Sequence, residues 1–405
     1  MRKVVDVNAL VLPTNGPGRR MNITIVQGAF LPVPPIRGGA VEKVWGTLAR
    51  EFASRGHTVT HISRRFEGLL NDDFEDGVHH VRVRGFETPK SLLVLKFLDL
   101  IYSRRVLRIL PSADILVTNT FWLPILKRHN DRGQLYVHVA RFPKGQMRLY
   151  RHAARIQTVS THIAAAIAKE IPSYSSKVTV IHYPISHNAG SVEIDDWSSR
   201  ENVILYVGRV HPEKGLHILI QAFSQLLTQL GPSWGLRIVG PWRTEEGGGG
   251  LRYYEHLLVM SAPFRERVEL TGPVFDNSQL ESKYRSAKIF VYPSLAEKGE
   301  TFGLAPLEAM NMGCPVVVSE LECFRDFVIN GRNGFYFNHR AGDPPNELAS
   351  RLTSLASNEA LLQAAGAAAL QTAREFDYRL IATRYLEDFE KVLHESNMSV
   401  SPTTD

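Results

Sequence analysis

One stretch in the C-terminal half of the chain constrains the fold more than any other. Residues 289–292 form a short apolar run, as a buried parallel strand does. A polar loop over residues 295–301 leads into a predicted helix that tolerates Pro306 in its first turn and ends at Gly313. A second apolar run follows over residues 315–318. Strand, loop, helix and strand in this order predict one unit of a parallel α/β sheet.

The loop of this unit also suits an anionic ligand. It enters the helix from the carboxyl end of a strand, where free backbone N–H groups and the positive end of the helix dipole lie together. Glu308 falls within the first two turns of the helix, where a carboxylate can accept hydrogen bonds from sugar or ribose hydroxyl groups. A buried α/β unit whose acids only cap the helix is the other interpretation, and this stretch by itself leaves both open.

The same alternation of strand, turn and helix occupies both halves of the chain. In the first half, a strand over residues 22–27 precedes a loop rich in proline and glycine and a helix over residues 41–55. That loop lacks the G-x-G-x-x-G motif, which argues against a nicotinamide enzyme. In the second half, a strand over residues 202–207 precedes a helix over residues 216–230. The sequence therefore predicts an α/β protein with two doubly wound, Rossmann-like domains, whose ligands bind in the cleft between them.

The net charge of +6 is unevenly distributed. Residues 1–200 contain 28 Lys and Arg against 16 Asp and Glu, and the remaining residues contain 19 against 25. A basic half attracts an anionic partner, namely a membrane surface, a phosphorylated substrate or nucleic acid. Nucleic acid ranks last, because the sequence has no helix-turn-helix, zinc-ligand or aromatic-platform signature.

A long apolar helix is predicted over residues 90–110, and it carries the cations Lys96, Arg104, Arg105 and Arg108. Packing on the sheet with solvated cations is one interpretation of this pattern. A surface helix that lies on anionic lipid is the other.

The sequence predicts a cytoplasmic location, with peripheral attachment to the inner face of the membrane left open. No run of residues approaches the length of a membrane-spanning helix. We expect no signal peptide in residues 1–20, because Asp6 and Asn8 interrupt the apolar run there. The only two cysteines, Cys314 and Cys323, lie among apolar residues and indicate buried thiols in a reducing compartment.

A second loop adds two cations to the edge of the sheet that carries the first loop. Gly208 lets the chain turn sharply after its strand, and Arg209 and Lys214 follow. Arginine offers a planar fork for phosphate oxygens, and lysine offers a point charge. Either cation alone is most often solvated. Both together, beside a helix N-terminus and a glutamate, favour a diphosphate pocket.

These motifs resemble those of a known family. Residues 208–215 read GRVHPEKG, residues 300–309 read ETFGLAPLEA and residues 313–317 read GCPVV. Over residues 22–394 the sequence is similar to the retaining glycosyltransferases of family four, which have the GT-B fold. The resemblance implies a nucleotide-sugar donor held mainly by the C-terminal domain and an acceptor held mainly by the N-terminal domain.

The composition of the connecting segments, together with the resemblance, predicts a division of the chain. The implied parts are a flexible lead-in (1–20), an acceptor-binding domain (21–189), a linker (190–200), a donor-binding domain (201–375), a helix that packs back on the N-terminal domain (376–395) and a tail (396–405).

Four catalytic residues follow from the resemblance. Arg209 and Lys214 correspond to the cations that bind the diphosphate, and Glu300 corresponds to the acid near the transferred sugar. His138 corresponds to the cleft histidine near the primary hydroxyl group of the sugar. Glu308 corresponds to a second acid, which holds the ribose hydroxyl groups.

Further donor contacts are implied for two loops. Gly38 and Gly39 correspond to the N-terminal glycine loop that approaches the diphosphate, where a side chain would block contact. The turn whose backbone N–H groups meet the sugar and phosphate corresponds to Thr301, Phe302, Gly303 and Leu304.

The sequence departs from the family pattern at two places. Residues 298–300 look inserted, so Glu297 competes with Glu300 for the role of the first acid, although the spacing to Glu308 favours Glu300. At residues 183–185 the chain reads Tyr-Pro-Ile instead of the usual Asn-Gly, which leaves the donor contacts there open.

The reaction implied is transfer of a hexose from a nucleoside-diphosphate sugar to a hydroxyl group, with retention of the anomeric configuration. A UDP-sugar is the first expectation, GDP- and ADP-sugars are the alternatives, and residues 272–276 are expected to recognise the base. We expect no cofactor and no metal, because Asp-x-Asp and clustered His ligands are lacking. The acceptor is a sugar, a lipid-linked molecule or a small molecule in glycan, glycolipid or natural-product biosynthesis. The alternative is a non-catalytic protein that binds a nucleotide sugar or a glycan.

Overall fold

The computed structural model describes residues 19–127, 131–185, 197–230 and 233–400. Two sheets and eleven α-helices organise these described ranges. Residues 1–18 of the predicted lead-in, residues 190–196 of the linker and residues 401–405 of the tail lie outside them.

The first sheet has eight strands and is parallel except at one edge. In space the strands follow the order β3-β4-β2-β1-β5-β6-β7-β8, and only the pairing of β3 with β4 is antiparallel. The strands are β1 (Asn22–Val26), β2 (Thr58–Arg64), β3 (Asp72–Glu75), β4 (Val78–Val83), β5 (Ile115–Thr118), β6 (Gln134–Val139), β7 (Arg155–Thr158) and β8 (Val178–Val180). The helices joined to them are α1 (Ala40–Ser54), α2 (Leu92–Ile109), α3 (Leu123–Leu126) and α4 (Thr161–Glu170).

The second sheet has six strands, all parallel, in the order β11-β10-β9-β12-β13-β14. The strands are β9 (Glu201–Val207), β10 (Gly235–Val239), β11 (Val268–Gly272), β12 (Ala287–Tyr292), β13 (Val316–Ser319) and β14 (Gly334–Phe337). The helices are α5 (Leu216–Leu230), α6 (Leu251–Ser261), α7 (Asn277–Ser286), α8 (Leu304–Asn311), α9 (Pro344–Ala356) and α10 (Glu359–Ala373). Strand β13 is buried along its whole length and β12 is buried except at Lys288, so both read as largely apolar runs rather than alternating ones.

The last helix, α11 (Tyr378–Val400), leaves the second sheet and packs on α1 of the first. Phe389 lies with its ring centroid 4.9 Å from that of Tyr136 and 5.8 Å from that of Phe52. The Tyr136 hydroxyl donates a hydrogen bond to Asp388 at 2.8 Å, and Arg155 pairs with the same carboxylate at 3.2 Å. Buried aromatic rings and a buried ion pair therefore fix the end of the chain on the N-terminal half.

Two local predictions differ from the structure. Helix α11 continues to Val400, whereas the sequence predicted that the helix ends at residue 395 and that a tail begins at residue 396. The β3–β4 hairpin was not predicted, since residues 72–75 read Asp-Asp-Phe-Glu and carry no apolar pattern. An edge strand of this kind is held by backbone pairing and needs little side-chain burial.

Helix α2 packs on the sheet with one face only. Tyr102 and Val106 are buried in the core beneath it, whereas its first turn is exposed. Across the described ranges, no helix is both long enough and apolar enough to cross a membrane.

Candidate active site

Two loops meet at the carboxyl edge of the second sheet because the strands that precede them are neighbours. Strands β9 and β12 pair in parallel, so the loops over residues 208–215 and 293–303 leave the sheet side by side. The backbone N–H of Leu295 donates to the carbonyl of Glu213 at 2.7 Å and joins them. Gly215 adopts a φ of 68°, and a Cβ at this position would collide with the carbonyl oxygen of Pro293. A glycine is therefore required for the close approach of the two loops.

A buried ion pair lies where these loops touch. The Nζ atom of Lys214 is 2.6 Å from Oε2 of Glu300, and the two side chains are only 7% and 11% exposed. The same Nζ atom lies 5.3 Å from the ring centroid of Tyr292, which stacks on Tyr206. Burial, with Glu300 nearby, raises the pKa of the Tyr292 hydroxyl well above its ordinary value. A cation and an acid thus share a pocket with little water to screen them.

Arg209 lies on the exposed rim of the same loop. Its guanidinium donates to Oε1 of Glu213 and to the carbonyl of Gly247, each at 2.7 Å. Glu213 belongs to the same motif but was not among the site residues predicted from the sequence. Its effect is to hold the arginine fork in place at the mouth of the pocket.

Helix α8 begins directly beside the ion pair. Its N-cap residue Gly303 has a φ of 96°, and a Cβ there would lie 2.5 Å from Cε1 of Phe324. The first N–H groups of a helix have no partner within the helix. The structure therefore brings Thr301, Phe302, Gly303 and Leu304 to a helix N-terminus that can receive an anion, next to Lys214.

Glu308, one turn further along α8, contacts both halves of the molecule. The Tyr284 hydroxyl donates to Oε2 of Glu308 at 3.2 Å. Lys43, which belongs to α1 of the first sheet, places its Nζ atom 3.4 Å from Oε1. The sequence did not indicate Lys43 as a partner, because 265 residues separate it from Glu308.

Gly38 and Gly39 form the turn that leads into α1. Gly39 lies four residues before Lys43. Their φ angles are 75° and 109°. A Cβ on Gly39 would meet the carboxylate of Glu42, which folds back over the start of its own helix. Burial raises the pKa of Glu42 above its ordinary value. The glycine turn and α1 therefore face the edge where Glu308 lies.

His138 is buried at the end of β6 and is enclosed by other side chains. Its Nδ1 atom lies 2.5 Å from Oε1 of Gln157, and its Nε2 atom lies 3.4 Å from the Tyr183 hydroxyl. Burial lowers the pKa of His138 to about 4, so the imidazole is neutral at pH 7. The Tyr183 ring stands edge-on to Phe302, with centroids 5.9 Å apart. Tyr183, at the place where the sequence departs from the family, thus lies between His138 and the loop before α8.

Glu297 and Glu300 occupy different environments. The Glu297 carboxylate pairs with Arg340 through two contacts of 2.7 Å and with His339 at 3.0 Å. The Arg340 guanidinium holds the pKa of Glu297 below its ordinary value, and half of this side chain is exposed. Of the two acids, Glu300 is the one that faces Lys214.

Within the described part of the chain, no group of three or more His, Cys, Asp or Glu side chains is placed to hold a metal ion.

Two family models match the chain one after the other. Residues 37–188 match the model described as Glycosyltransferase Family 4, and residues 192–372 match the model described as Glycosyl transferases group 1. The chain therefore belongs to the group 1 glycosyltransferases of family 4, and the family predicted from its motifs is confirmed.

Among similar curated proteins, spore coat protein SA of Bacillus subtilis (strain 168) is 24% identical over 396 residues, which cover 92% of this chain and 100% of that protein. Phosphatidyl-myo-inositol mannosyltransferase of Mycobacterium leprae (strain TN) is 30% identical over 190 residues, 47% of this chain and 46% of that protein.

Solved structures show the same fold at low sequence identity. Anabaena Alr3699/HepE in complex with UDP has a TM-score of 0.67 at 20% identity and covers 92% of this chain and 100% of that one. Sucrose-phosphate synthase from Thermosynechococcus elongatus has a TM-score of 0.73 at 18% identity and covers 93% and 100%. The predicted GT-B fold is confirmed.

Proposed function

We propose that this glycosyltransferase moves a hexose from a nucleoside-diphosphate sugar, in the first place a UDP-sugar, to a hydroxyl acceptor with retention of the anomeric configuration. The observation that carries the proposal is the buried Lys214–Glu300 pair at the N-terminus of α8. A lysine held in a pocket of low dielectric, beside unpaired helix N–H groups, suits a leaving diphosphate.

Each of the neighbouring groups has a proposed role. Lys214 and Arg209 bind the diphosphate together with the N-terminus of α8, and Gly38 and Gly39 allow the backbone of the other half to approach it. Glu300 accepts hydrogen bonds from the transferred sugar. Glu308 accepts hydrogen bonds from the ribose hydroxyl groups, for which the Lys43 contact of 3.4 Å must lengthen or be shared.

The proposed chemistry needs no protein nucleophile. The acceptor oxygen attacks the anomeric carbon on the face from which the diphosphate departs. As the bond from that carbon to the phosphate oxygen breaks, the acceptor proton passes to the departing phosphate. The developing negative charge is stabilised by Lys214, Arg209 and the helix N–H groups, which are already oriented before reaction.

His138 and Tyr183 form the proposed wall near the sugar. Because His138 is neutral and Tyr183 covers its Nε2 atom, we propose that the phenol hydroxyl makes the contact with the sugar and that His138 orients it. In the proposed mechanism the two halves close on the donor and exclude water from this region. The two halves already contact each other at the backbone N–H of Thr161, which donates to Asp326 at 2.8 Å.

The choice of UDP rests on the similar structures. Anabaena Alr3699/HepE was solved with UDP and with UDP-glucose. In this chain the proposed base site is the loop after β11, over residues 272–276, where the Phe275 ring is exposed and free to stack on a base.

The test is a two-stage measurement on the full chain. Thermal shift with UDP, GDP and ADP identifies the base, and release of nucleoside diphosphate from the matching sugars with a panel of acceptors identifies the reaction. We expect Lys214→Ala and Glu308→Ala to lose at least about a hundredfold in kcat/KM. Glu297→Ala, an acid in the same loop, is the matched control and keeps activity.

Full activity in Lys214→Ala and Glu308→Ala would overturn the proposed site. Binding of a nucleotide sugar without release of nucleoside diphosphate from any donor and acceptor pair would instead support the non-catalytic alternative.

A further inference from the structure

The first two turns of α2 expose a group of large apolar side chains. Leu92, Leu93, Val94 and Phe97 are 70%, 82%, 45% and 61% exposed. A helix that serves only the core turns such residues inward, as α2 does with Tyr102 and Val106 further along. The exposed group therefore forms an apolar tip at the start of the helix.

Cations continue the same outward face toward the other end of α2. Leu93, Phe97, Arg104 and Arg108 are separated by four, seven and four positions, which places them on one stripe of an α-helix. Arg104 and Arg108 are exposed. At 1.5 Å per residue the stripe is about 22 Å long. The stripe is apolar at the N-terminal end of α2 and basic at its C-terminal end.

Helix α2 contributes no carboxylate to its own outward face. Between residues 88 and 113 the only acid is Asp99. Its side chain is buried and accepts the backbone N–H groups of Phe121 and Trp122 at 3.1 and 3.0 Å. The face of α2 that meets solvent thus combines apolar side chains with unopposed cations.

We propose that this stripe docks the protein on an anionic lipid bilayer. Leu93 and Phe97 enter the boundary between headgroups and acyl chains, while Arg104 and Arg108 bind lipid phosphates. A bilayer supplies both chemistries side by side over the whole length of the stripe, whereas neither an apolar protein surface nor a second copy of this basic face would neutralise the cations. The strength with which a helix binds at a membrane surface depends on the apolar area that it buries and on its electrostatic attraction to anionic lipids.

The apolar tip lies at the carboxyl edge of the first sheet, because α2 follows β4, and the Gly38–Gly39 turn leaves the same edge after β1. The segment that leads into α2 is tied through Glu87 to Arg37 at 2.5 Å and also to Arg64. Arg37 directly precedes the turn formed by Gly38 and Gly39. A membrane bound at α2 therefore lies beside the acceptor side of the proposed site. This part of the inference rests on the proposed function and favours an acceptor carried by a lipid.

Vesicle co-sedimentation tests the docking without any catalytic readout. The full chain is mixed with vesicles of phosphatidylcholine alone and of phosphatidylcholine with phosphatidylglycerol. We expect it to sediment only with the anionic vesicles, and the double variant Arg104→Glu/Arg108→Glu to bind at least about tenfold more weakly, since each cation contributes about 1 kcal/mol. Arg252→Glu/Arg332→Glu removes two exposed cations from the C-terminal half and is the matched control.

A label on the tip tests insertion directly. Because Cys314 and Cys323 are buried, a thiol-reactive, environment-sensitive dye will label Leu93→Cys selectively. We expect a blue shift on addition of anionic vesicles at this position. Val259→Cys, 73% exposed on α6, should show none.

Equal binding to both vesicle types, equal loss in the two double variants, or an unshifted dye at position 93 would each overturn the proposal. Vesicle binding with no transferase activity would refute the proposed function and leave the docking surface standing.

Discussion

At the residue scale, Lys214 and Glu300 depend on each other for stability as well as for chemistry. Both are nearly buried, so removing one leaves an uncompensated charge in a pocket that water hardly reaches. We predict that Lys214→Met and Glu300→Gln each lower the free energy of unfolding by about 3 to 5 kcal/mol. Chemical denaturation measures this loss.

The double variant separates stability from function. Lys214→Met/Glu300→Gln should recover most of the lost stability, because no unpaired charge remains, and should stay inactive. The exposed ion pair of Glu297 and Arg340 provides the control. Glu297→Gln should lower the free energy of unfolding by less than about 1 kcal/mol. If the double variant were as unstable as the singles, the pair would not be the source of the cost.

His61 provides a prediction about pH. Among the described residues neither of its ring nitrogens has a hydrogen-bond partner, and burial, with His80 and Arg82 nearby, lowers its pKa to about 3. Between that value and the ordinary value of 6.5, the unfolded chain binds a proton that the folded chain does not. The free energy of unfolding should therefore fall as the pH decreases below 6.5, by about 1.4 kcal/mol per pH unit for this residue.

Thermal denaturation between neutral and mildly acidic pH measures that slope. His61→Leu should flatten it, whereas His152→Leu, at an exposed position, should leave it unchanged. An unaltered slope in His61→Leu would show that other groups control the acid sensitivity, among them His138 with its pKa of about 4.

At the element scale, the start of α8 depends on the backbone at Gly303. An alanine there must adopt a φ of 96° and must displace the Phe324 ring. We predict that Gly303→Ala lowers the melting temperature and weakens UDP binding at least about tenfold, because the helix N–H groups move. Calorimetric titration with UDP measures the second effect.

Gly331 is the matched control for this substitution. It also has a positive φ, 79°, but a Cβ there would meet nothing within 4 Å. Gly331→Ala should cost about 1 kcal/mol through backbone strain and leave UDP binding intact. Equal effects of the two variants would mean that the contact with Phe324 is unimportant.

The same helix end leads to a prediction about metal ions. In the proposed mechanism, Lys214, Arg209 and the α8 N-terminus supply the positive charge that the diphosphate needs. We predict that transferase activity in the presence of EDTA stays within about twofold of the untreated rate, as strong electrostatic stabilisation is already built in. Activity lost to EDTA and restored by Mg²⁺ or Mn²⁺ would assign that charge to a metal.

At the scale of the whole molecule, α11 joins the C-terminal half of the chain to the N-terminal half. Phe389 is fully buried between Phe52, Tyr136 and Tyr385. We predict that Phe389→Ala lowers the free energy of unfolding by about 3 to 5 kcal/mol. Hydrogen exchange should accelerate in α1 and β6 while β12 and β13 stay protected.

Met398, exposed near the end of the same helix, provides the comparison. Met398→Ala should change stability by less than about 0.5 kcal/mol. Faster exchange spread evenly over both sheets in Phe389→Ala would show that the two halves unfold as one unit.

The elements that carry the site followed from local patterns in the sequence. Apolar runs at β9, β12 and β13 and glycines at Gly208 and Gly313 gave the strands and turns, because parallel strands are buried on both faces and tight turns need glycine. The β3 strand did not follow, since an edge strand of three acidic residues and one exposed phenylalanine is specified by its pairing with β4 rather than by its own side chains.

What the sequence determined by itself was the fold class, the family and the loop residues that carry charge, because each of these depends on residues close together in the chain. What only the tertiary structure decided was which charges meet. Lys214 pairs with Glu300 across 86 residues, and Lys43 reaches Glu308 across 265. Glu297 differs from Glu300 through its contact with Arg340. These pairings arise from the order of strands and the packing of the two sheets, which no local pattern records.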